Sequence, residues 1–237
     1  DVFFYKMSIK IGIDLLSKYS KKFGLGQVTG IDIHGEQPGI MPSRSWKKSA
    51  RGESWFNGDT INVSIGQGFM LTTPLQLGVM MARIASKGKM VKPQLVKSSN
   101  GNPVIGSENN ESIGIDAEHW AYIHQAMKAV VHSPRGTARR INRDLNYTIA
   151  GKTGTAQVIS IKAEEEYDSS KIDKSQWDHA LFVAFAPVEN PQIAIGLIVE
   201  NGEHGSSAAA PIARLVMDAY MKSKAGSHQS TESEVLH

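Results

Sequence analysis

The 237-residue sequence contains no cysteine, which excludes disulfides, thiolate metal sites and a cysteine nucleophile. No apolar run approaches the ~20 residues needed to span a bilayer, and no signal peptide is visible. Aromatic residues make up only 7% of the chain, and neither sign of charge dominates, with a net charge of +3. The basic pairs Lys47-Lys48 and Arg139-Arg140 stand without interleaved aromatics, so nucleic acid is not an expected partner. An initiating methionine is missing as well. The chain starts at Asp1 inside an apolar segment, which suggests a fragment of a longer protein.

What is present describes an ordinary globular protein, with a hydrophobic fraction of 41% and a charged fraction of 21%. The length suits one large domain or two small ones. Residues 1–10 read as a helix packed on one side through Val2, Phe4, Tyr5 and Ile9, and Gly12 interrupts it. A second helix is expected over 13–22, with Gly24 placed to end it. Residues 24–58 are rich in Gly, Pro and Ser and read as irregular, and 61–65 as a short strand. Thr73, Pro74 and Gln76 spell a capped helix start. The residues up to Gly88 leave almost no polar face, which predicts a buried helix.

Residues 89–96 read as extended and 98–112 as a polar loop with Asn-Gly-Asn-Pro turn chemistry. Asp116 caps a helix to about His132, with Trp120, Ile123, Met127 and Val130 on one face. Its histidines at 119, 124 and 132 share no i, i+4 spacing, and Glu164 to Glu166 fall in a solvated loop over 161–177. No metal and no cofactor are therefore expected. Two runs, 180–186 and 193–199, are apolar on both faces and joined by Glu189-Asn190-Pro191. They predict an antiparallel hairpin in a sheet covered on both sides. A final helix follows over 206–222, and 223–237 reads as a disordered tail. His179 and His204 have no assigned role and read most simply as structural.

The segment 147–158 has strand composition around the core Gly151-Lys152-Thr153-Gly154-Thr155. A phosphate-binding loop requires a glycine where Asn146 stands, so that pattern fails. Two readings stay open for Lys152: a solvated charge on an edge strand, or the lysine of a Lys-Thr-Gly element. Gly66-Gln67-Gly68 lacks the lysine and the strand–helix context of a phosphate loop, and reads as a turn.

The series Gly58-Asp59-Thr60, Gly66-Gln67-Gly68, Thr73-Pro74-Leu75-Gln76, Gly136-Thr137-Ala138, Gly151-Lys152-Thr153-Gly154-Thr155-Ala156 and Glu200-Asn201-Gly202 resembles a penicillin-binding transpeptidase domain. Phe23-Gly24, Thr29-Gly30-Ile31-Asp32 and Met41-Pro42 narrow the resemblance to the elongation-specific class B group, penicillin-binding protein 2. It covers 1–222, as the C-terminal part of that domain. The resemblance implies an α/β (α+β) fold: an antiparallel β-sheet covered by helices on both faces, incomplete at the N-terminus. It also implies peptidoglycan D,D-transpeptidation, the cross-linking of stem peptides by acyl transfer from D-Ala-D-Ala through a serine acyl-enzyme.

Three family elements carry that chemistry: Ser-x-x-Lys, Ser-x-Asp and Lys-Thr-Gly. Ser-x-x-Lys does not stand where the family requires it, ahead of Asp1. The letters recur at Ser45-x-x-Lys48, in the wrong order relative to the other motifs. Asp1 resembles the third residue of Ser-x-Asp. By resemblance the catalytic residues here are Lys152, Thr155 and Asp1, and the substrate-binding residues are Lys152, Thr153, Gly154 and Thr155. Lacking the serine, the fragment is expected to be inactive alone. Implied partners are peptidoglycan stem peptides, β-lactams, a membrane glycosyltransferase and the cell-elongation machinery. The implied location is the periplasm, on a protein anchored in the cytoplasmic membrane. The 193–199 strand has lost its neighbours in this reading, so the fragment is expected to self-associate. A serine β-lactamase or β-lactam sensor shares Lys-Thr-Gly and remains an alternative, as does a non-catalytic binding fragment.

Overall fold

The computed structural model describes residues 2–104, 106, 111–159 and 171–234. The chain divides into two compact units, residues 1–120 and 121–237.

In the first unit, α1 (Val2–Ile11) and α2 (Ile13–Lys22) are separated by Gly12, whose φ of 78° breaks the helix. The face expected to bury α1 is not the one that does. Val2, Phe4 and Ile9 are exposed, while Ser8 is buried and donates its hydroxyl to the Tyr5 carbonyl. The buried position is a small polar residue, which the pattern of large apolar side chains does not reveal.

Two further expectations are corrected. The stretch read as irregular contains α3 (Arg44–Arg51), started by Ser43, whose hydroxyl accepts from the Trp46 N–H at 3.1 Å, and closed by Gly52. The strand expected over 61–65 is instead part of α4 (Asn57–Ser64). Its β-branched residues favour a strand, but the Asp59 carboxylate accepts from the Phe56 N–H at 2.8 Å and fixes a helix start. Thr60 then accepts from the Trp55 indole at 2.8 Å. Local side-chain contacts override propensity here.

Helix α5 (Pro74–Ala85) begins with the expected capping box, Gln76 N–H to Thr73 Oγ1 at 3.2 Å and Thr73 N–H to Gln76 Oε1 at 3.0 Å. It buries Val79, Met81 and Ala85, and also Arg83, which the sequence places on no polar face. The short strands β1 (Ser98–Ser99) and β2 (Asn102–Pro103) pair across Asn100 and Gly101, both at positive φ, as Asn-Gly hairpin turns require.

In the second unit, α6 (Ala117–His132, entering it at Ala121) leads to a sheet ordered β3-β4-β5, antiparallel throughout. Its strands are β3 (Ala150–Ala156), β4 (His179–Ala186) and β5 (Ile193–Val199), the last two forming the expected hairpin. The final helix opens with a wide π-type turn, Gly205–Ala209, and continues as α7 (Ala210–Glu234). Ala180, Phe182, Ala184 and Ala186 on one face of β4 join Ala209, Ala210, Ala213 and Met217 in the main core. On the other face the Phe185 ring lies 4.9 Å from the His124 ring of α6. The fold is mixed α/β, with an antiparallel sheet and helices against both faces. Much of the expected loop over 161–177 lies outside the described residues; its end contains the 3-10 turn Lys174–Gln176.

Candidate functional site

Strand β3 stands at one end of the sheet, paired among the described residues to β4 alone. Register sets Lys152 opposite Val183, Thr153 opposite Phe182, Gly154 opposite Leu181 and Thr155 opposite Ala180. Thr153 and Thr155 therefore share one face and Lys152 the other. Gly151 is required by the protein itself, whereas Gly154 is only tightly packed. A Cβ on Gly151 would meet the Phe182 ring and the Val183 carbonyl at 2.8 Å, and one on Gly154 would meet Leu181 Cβ at 3.3 Å.

Lys152 is exposed, yet enough protein crowds its ammonium that burial lowers its pKa from the usual lysine value. Its Nζ donates to the Thr153 carbonyl at 2.7 Å, and among the described residues no carboxylate pairs with it. Thr153 Oγ1 lies 3.3 Å from Thr137 Oγ1, so the Gly136-Thr137-Ala138 motif reaches the strand through one hydroxyl. Asp1 lies outside the described residues.

The start of the last helix supports β3 from behind. Gly205 packs so closely that an added Cβ would meet the Leu181 carbonyl at 2.3 Å and the Gly154 carbonyl at 2.8 Å. Asn201, at φ 52°, donates its amide to the Ser175 and Trp177 carbonyls at 2.9 Å each. His179 Nδ1 accepts from the Asn201 N–H at 3.0 Å, a structural use of that histidine. His204 is exposed and lies 3.9 Å from Glu203. The support role of Gly205 is missed in the sequence, where its signal is a glycine immediately before a capless helix. At the other end of β3, His132 Nε2 accepts from the Ile149 N–H at 3.0 Å, and burial lowers its pKa. The arrangement is a cation without a carboxylate partner, held at the Thr153 carbonyl of a strand whose other face carries two threonine hydroxyls.

The sequence model of the penicillin binding protein transpeptidase domain family matches residues 1–218. Peptidoglycan D,D-transpeptidase MrdA of Haemophilus influenzae is 39% identical over 231 residues, 94% of this chain and 35% of that protein. Its Escherichia coli K12 counterpart is 39% identical over 225 residues, 93% of this chain and 35% of that protein. The chain thus spans about a third of the length of these curated relatives. Among solved structures, Pseudomonas aeruginosa PBP2 in complex with WCK 5153 superposes with a TM-score of 0.82 and 43% identity, covering 92% of this chain and 46% of that one. The Helicobacter pylori PBP2 in complex with MreC gives a TM-score of 0.77 at 31% identity, covering 93% of this chain and 38% of that one.

Proposed function

Because the chain belongs to the penicillin-binding protein transpeptidase family, in its penicillin-binding protein 2 group, we propose that β3 forms the carboxylate-binding wall of a peptidoglycan D,D-transpeptidase site. The observation that carries this reading is the unpaired Lys152 ammonium beside Thr153 on an edge strand. Burial disfavours the charged form of that lysine, and a substrate carboxylate restores it, so the ligand relieves a cost already present.

In the reaction, a serine oxygen attacks the carbonyl of the penultimate D-Ala. The terminal D-Ala leaves as an amine, and a second stem peptide's amine then takes the acyl group. The serine and its lysine belong to the Ser-x-x-Lys element, which is not at the family's position in this sequence. What this chain contributes is electrostatics and placement. The Thr153 and Thr155 hydroxyls, on one face, bond the terminal carboxylate; hydrogen bonds to a charged partner contribute roughly 1.5–3 kcal/mol each. Lys152, whose side chain turns back along the strand to the Thr153 carbonyl, supplies the positive charge facing that carboxylate. The Thr155 N–H acts as the second oxyanion donor. Gly154 keeps the strand surface low where substrate lies, and Asp1 serves as a hydrogen-bonding wall residue from Ser-x-Asp. The transpeptidase portion ends near Lys222.

The same premise supports β-lactams as acylating ligands, and a membrane glycosyltransferase and the elongation machinery as partners. MreC accompanies the Helicobacter pylori relative. It also supports a periplasmic location on a membrane-anchored protein; among the described residues no helix is long and apolar enough to cross a membrane.

The test joins this chain to a Ser-x-x-Lys element and compares it with its Lys152→Ala variant. Acylation by labelled penicillin is expected to slow about 100-fold or more, as for loss of an oxyanion-type donor, with the melting temperature nearly unchanged. Collapse of the fold with normal acylation of the remaining folded protein would return Lys152 to a surface charge. The 237-residue chain alone is expected to gain no mass on incubation with a β-lactam, and a stoichiometric adduct would place the nucleophile within it.

A further inference from the structure

Residues 134–143 carry Arg135, Arg139, Arg140 and Arg143 and no acidic residue. All four are exposed, and among the described residues none is paired with a carboxylate. By contrast, Lys128 pairs with Glu189 and Arg214 with Asp218, both at 2.8 Å. Arg139, Arg140 and Arg143 instead line, with His132 and Asn142, one open cleft of about 690 Å³ that contains no carboxylate.

The cleft is held by the fold and not by its arginines' own mobility. Gly136 is pressed onto the end of α6, where an added Cβ would meet the Val130 carbonyl at 2.3 Å, and the Ala138 N–H donates to that carbonyl at 3.0 Å. Arg139 Nη1 donates to the Pro134 carbonyl at 3.0 Å. From α7, Arg214 donates to the carbonyls of Ile141, Arg143 and Asp144, which fixes the backbone that carries the arginines without a carboxylate partner. Bringing four like charges into a nine-residue span is unfavourable until an anion arrives. A single carboxylate brings one charge. A phosphate group brings about two charges and three acceptor oxygens, matching several guanidinium forks at once.

We propose that this cleft is a binding site for a phosphate-class oxyanion with two or more negative charges, distinct from the Lys152 wall. It stands independently of the transpeptidase reading. Calorimetric titration of the purified chain with pyrophosphate, in phosphate-free buffer at low salt, tests it. One saturable site is expected, weakened about tenfold by Arg140→Gln and further in Arg140→Gln/Arg143→Gln, the size of losing one charged hydrogen bond each. Both residues are exposed, so the variants should melt with the wild-type chain. Independently of any variant, pyrophosphate should shift the NMR signals of the arginine Nε–H groups at 139, 140 and 143. Vesicles of phosphatidylglycerol, set against neutral phosphatidylcholine, separate the sources. Retention on the anionic vesicles that pyrophosphate displaces identifies a lipid headgroup, and pyrophosphate binding without retention identifies a soluble phosphate. Absence of saturable binding, undiminished binding by the double variant, or a tri-glutamate peptide binding as tightly as pyrophosphate would each overturn the proposal.

Discussion

In the first unit the buried side chains include Gln76, Arg83 and Lys47; at the centre of the second they are Ala180, Phe182, Ala184 and Ala186. The difference follows from how each unit uses its backbone. Strands β3, β4 and β5 satisfy one another's N–H and C=O groups, so their side chains are free to be apolar. The first unit has long connections whose carbonyls face inward without a ladder, and polar side chains must meet them. Gln76 is fully buried and fully used. Its amide donates to the Gln27 and Pro38 carbonyls at 2.8 and 2.7 Å, and its oxygen accepts from Thr73 N–H and pairs with Thr72 Oγ1. Arg83 bridges the Lys22 and Val91 carbonyls at 2.9 and 3.4 Å. Lys47 pairs with Asp59 at 2.8 Å within a shell of Trp55, Phe56 and Phe69. An irregular fold thus substitutes side-chain latches for a sheet.

The comparison is sharpened first by Phe182→Ala, which should cost about 3–5 kcal/mol, the usual range for emptying a core aromatic site. Urea unfolding followed by Trp177, the tryptophan of the second unit, measures it; a cost under ~1 kcal/mol would mean the sheet's centre is not where stability lies. Next, Gln76→Leu keeps the volume but strands buried partners, at roughly 1–3 kcal/mol for each group left unsatisfied. Trp46, Trp55 and Trp120 report on that unit, and an unchanged urea midpoint would break the comparison outright.

Acid titration gives a third, smaller effect. Burial tends to raise the Asp59 pKa, but hydrogen bonds from Lys47 and the Phe56 N–H, with the lysine's charge, leave it lowered. A folded pKa below the unfolded one means this stabilisation is full above the ordinary carboxylate range and lost as pH falls through the folded value. Asp59→Asn should therefore flatten the first unit's acid-side stability profile; an unaltered slope would show the latch is idle. The smallest effect is expected at Glu189, where Lys128 and Thr148 hydrogen bonds lower the pKa to about 2. Its contribution is present above pH 4.5 and disappears toward pH 2. The carboxylate is exposed and screened by solvent, so Glu189→Gln should cost about 1 kcal/mol or less at neutral pH. A larger loss would make a surface pair matter as much as a latch.

Legibility in the sequence followed the same divide. The hairpin of β4 and β5 was readable because two apolar runs flank a short Pro turn, and α5 because its capping residues are local. Helix α4 was misread as a strand because its β-branched residues outweighed a cap supplied by Asp59, a residue also held by Lys47, twelve residues away on another helix. The buried Arg83 was invisible because its partners are carbonyls 61 and 8 residues distant, which leave no side-chain signature. At the candidate site, Lys152 to Thr155 stood out as a motif. The Thr137 hydroxyl contact and the Gly205 support depend on chain crossings that no local pattern encodes.

Gly205 has one more consequence. It meets Leu181 and Gly154 backbone to backbone, with no side chain between helix and strand to change rotamer. Side chains hop on picosecond-to-nanosecond timescales, and a seam without them has no such soft coordinate. The Lys152–Thr155 stretch is therefore backed by something closer to a hard stop than a cushion. A ligand pressing on it must fit the existing contour, because yielding there means displacing the end of a helix. Such a wall selects for shape, and its stiffness is set by one missing methyl group.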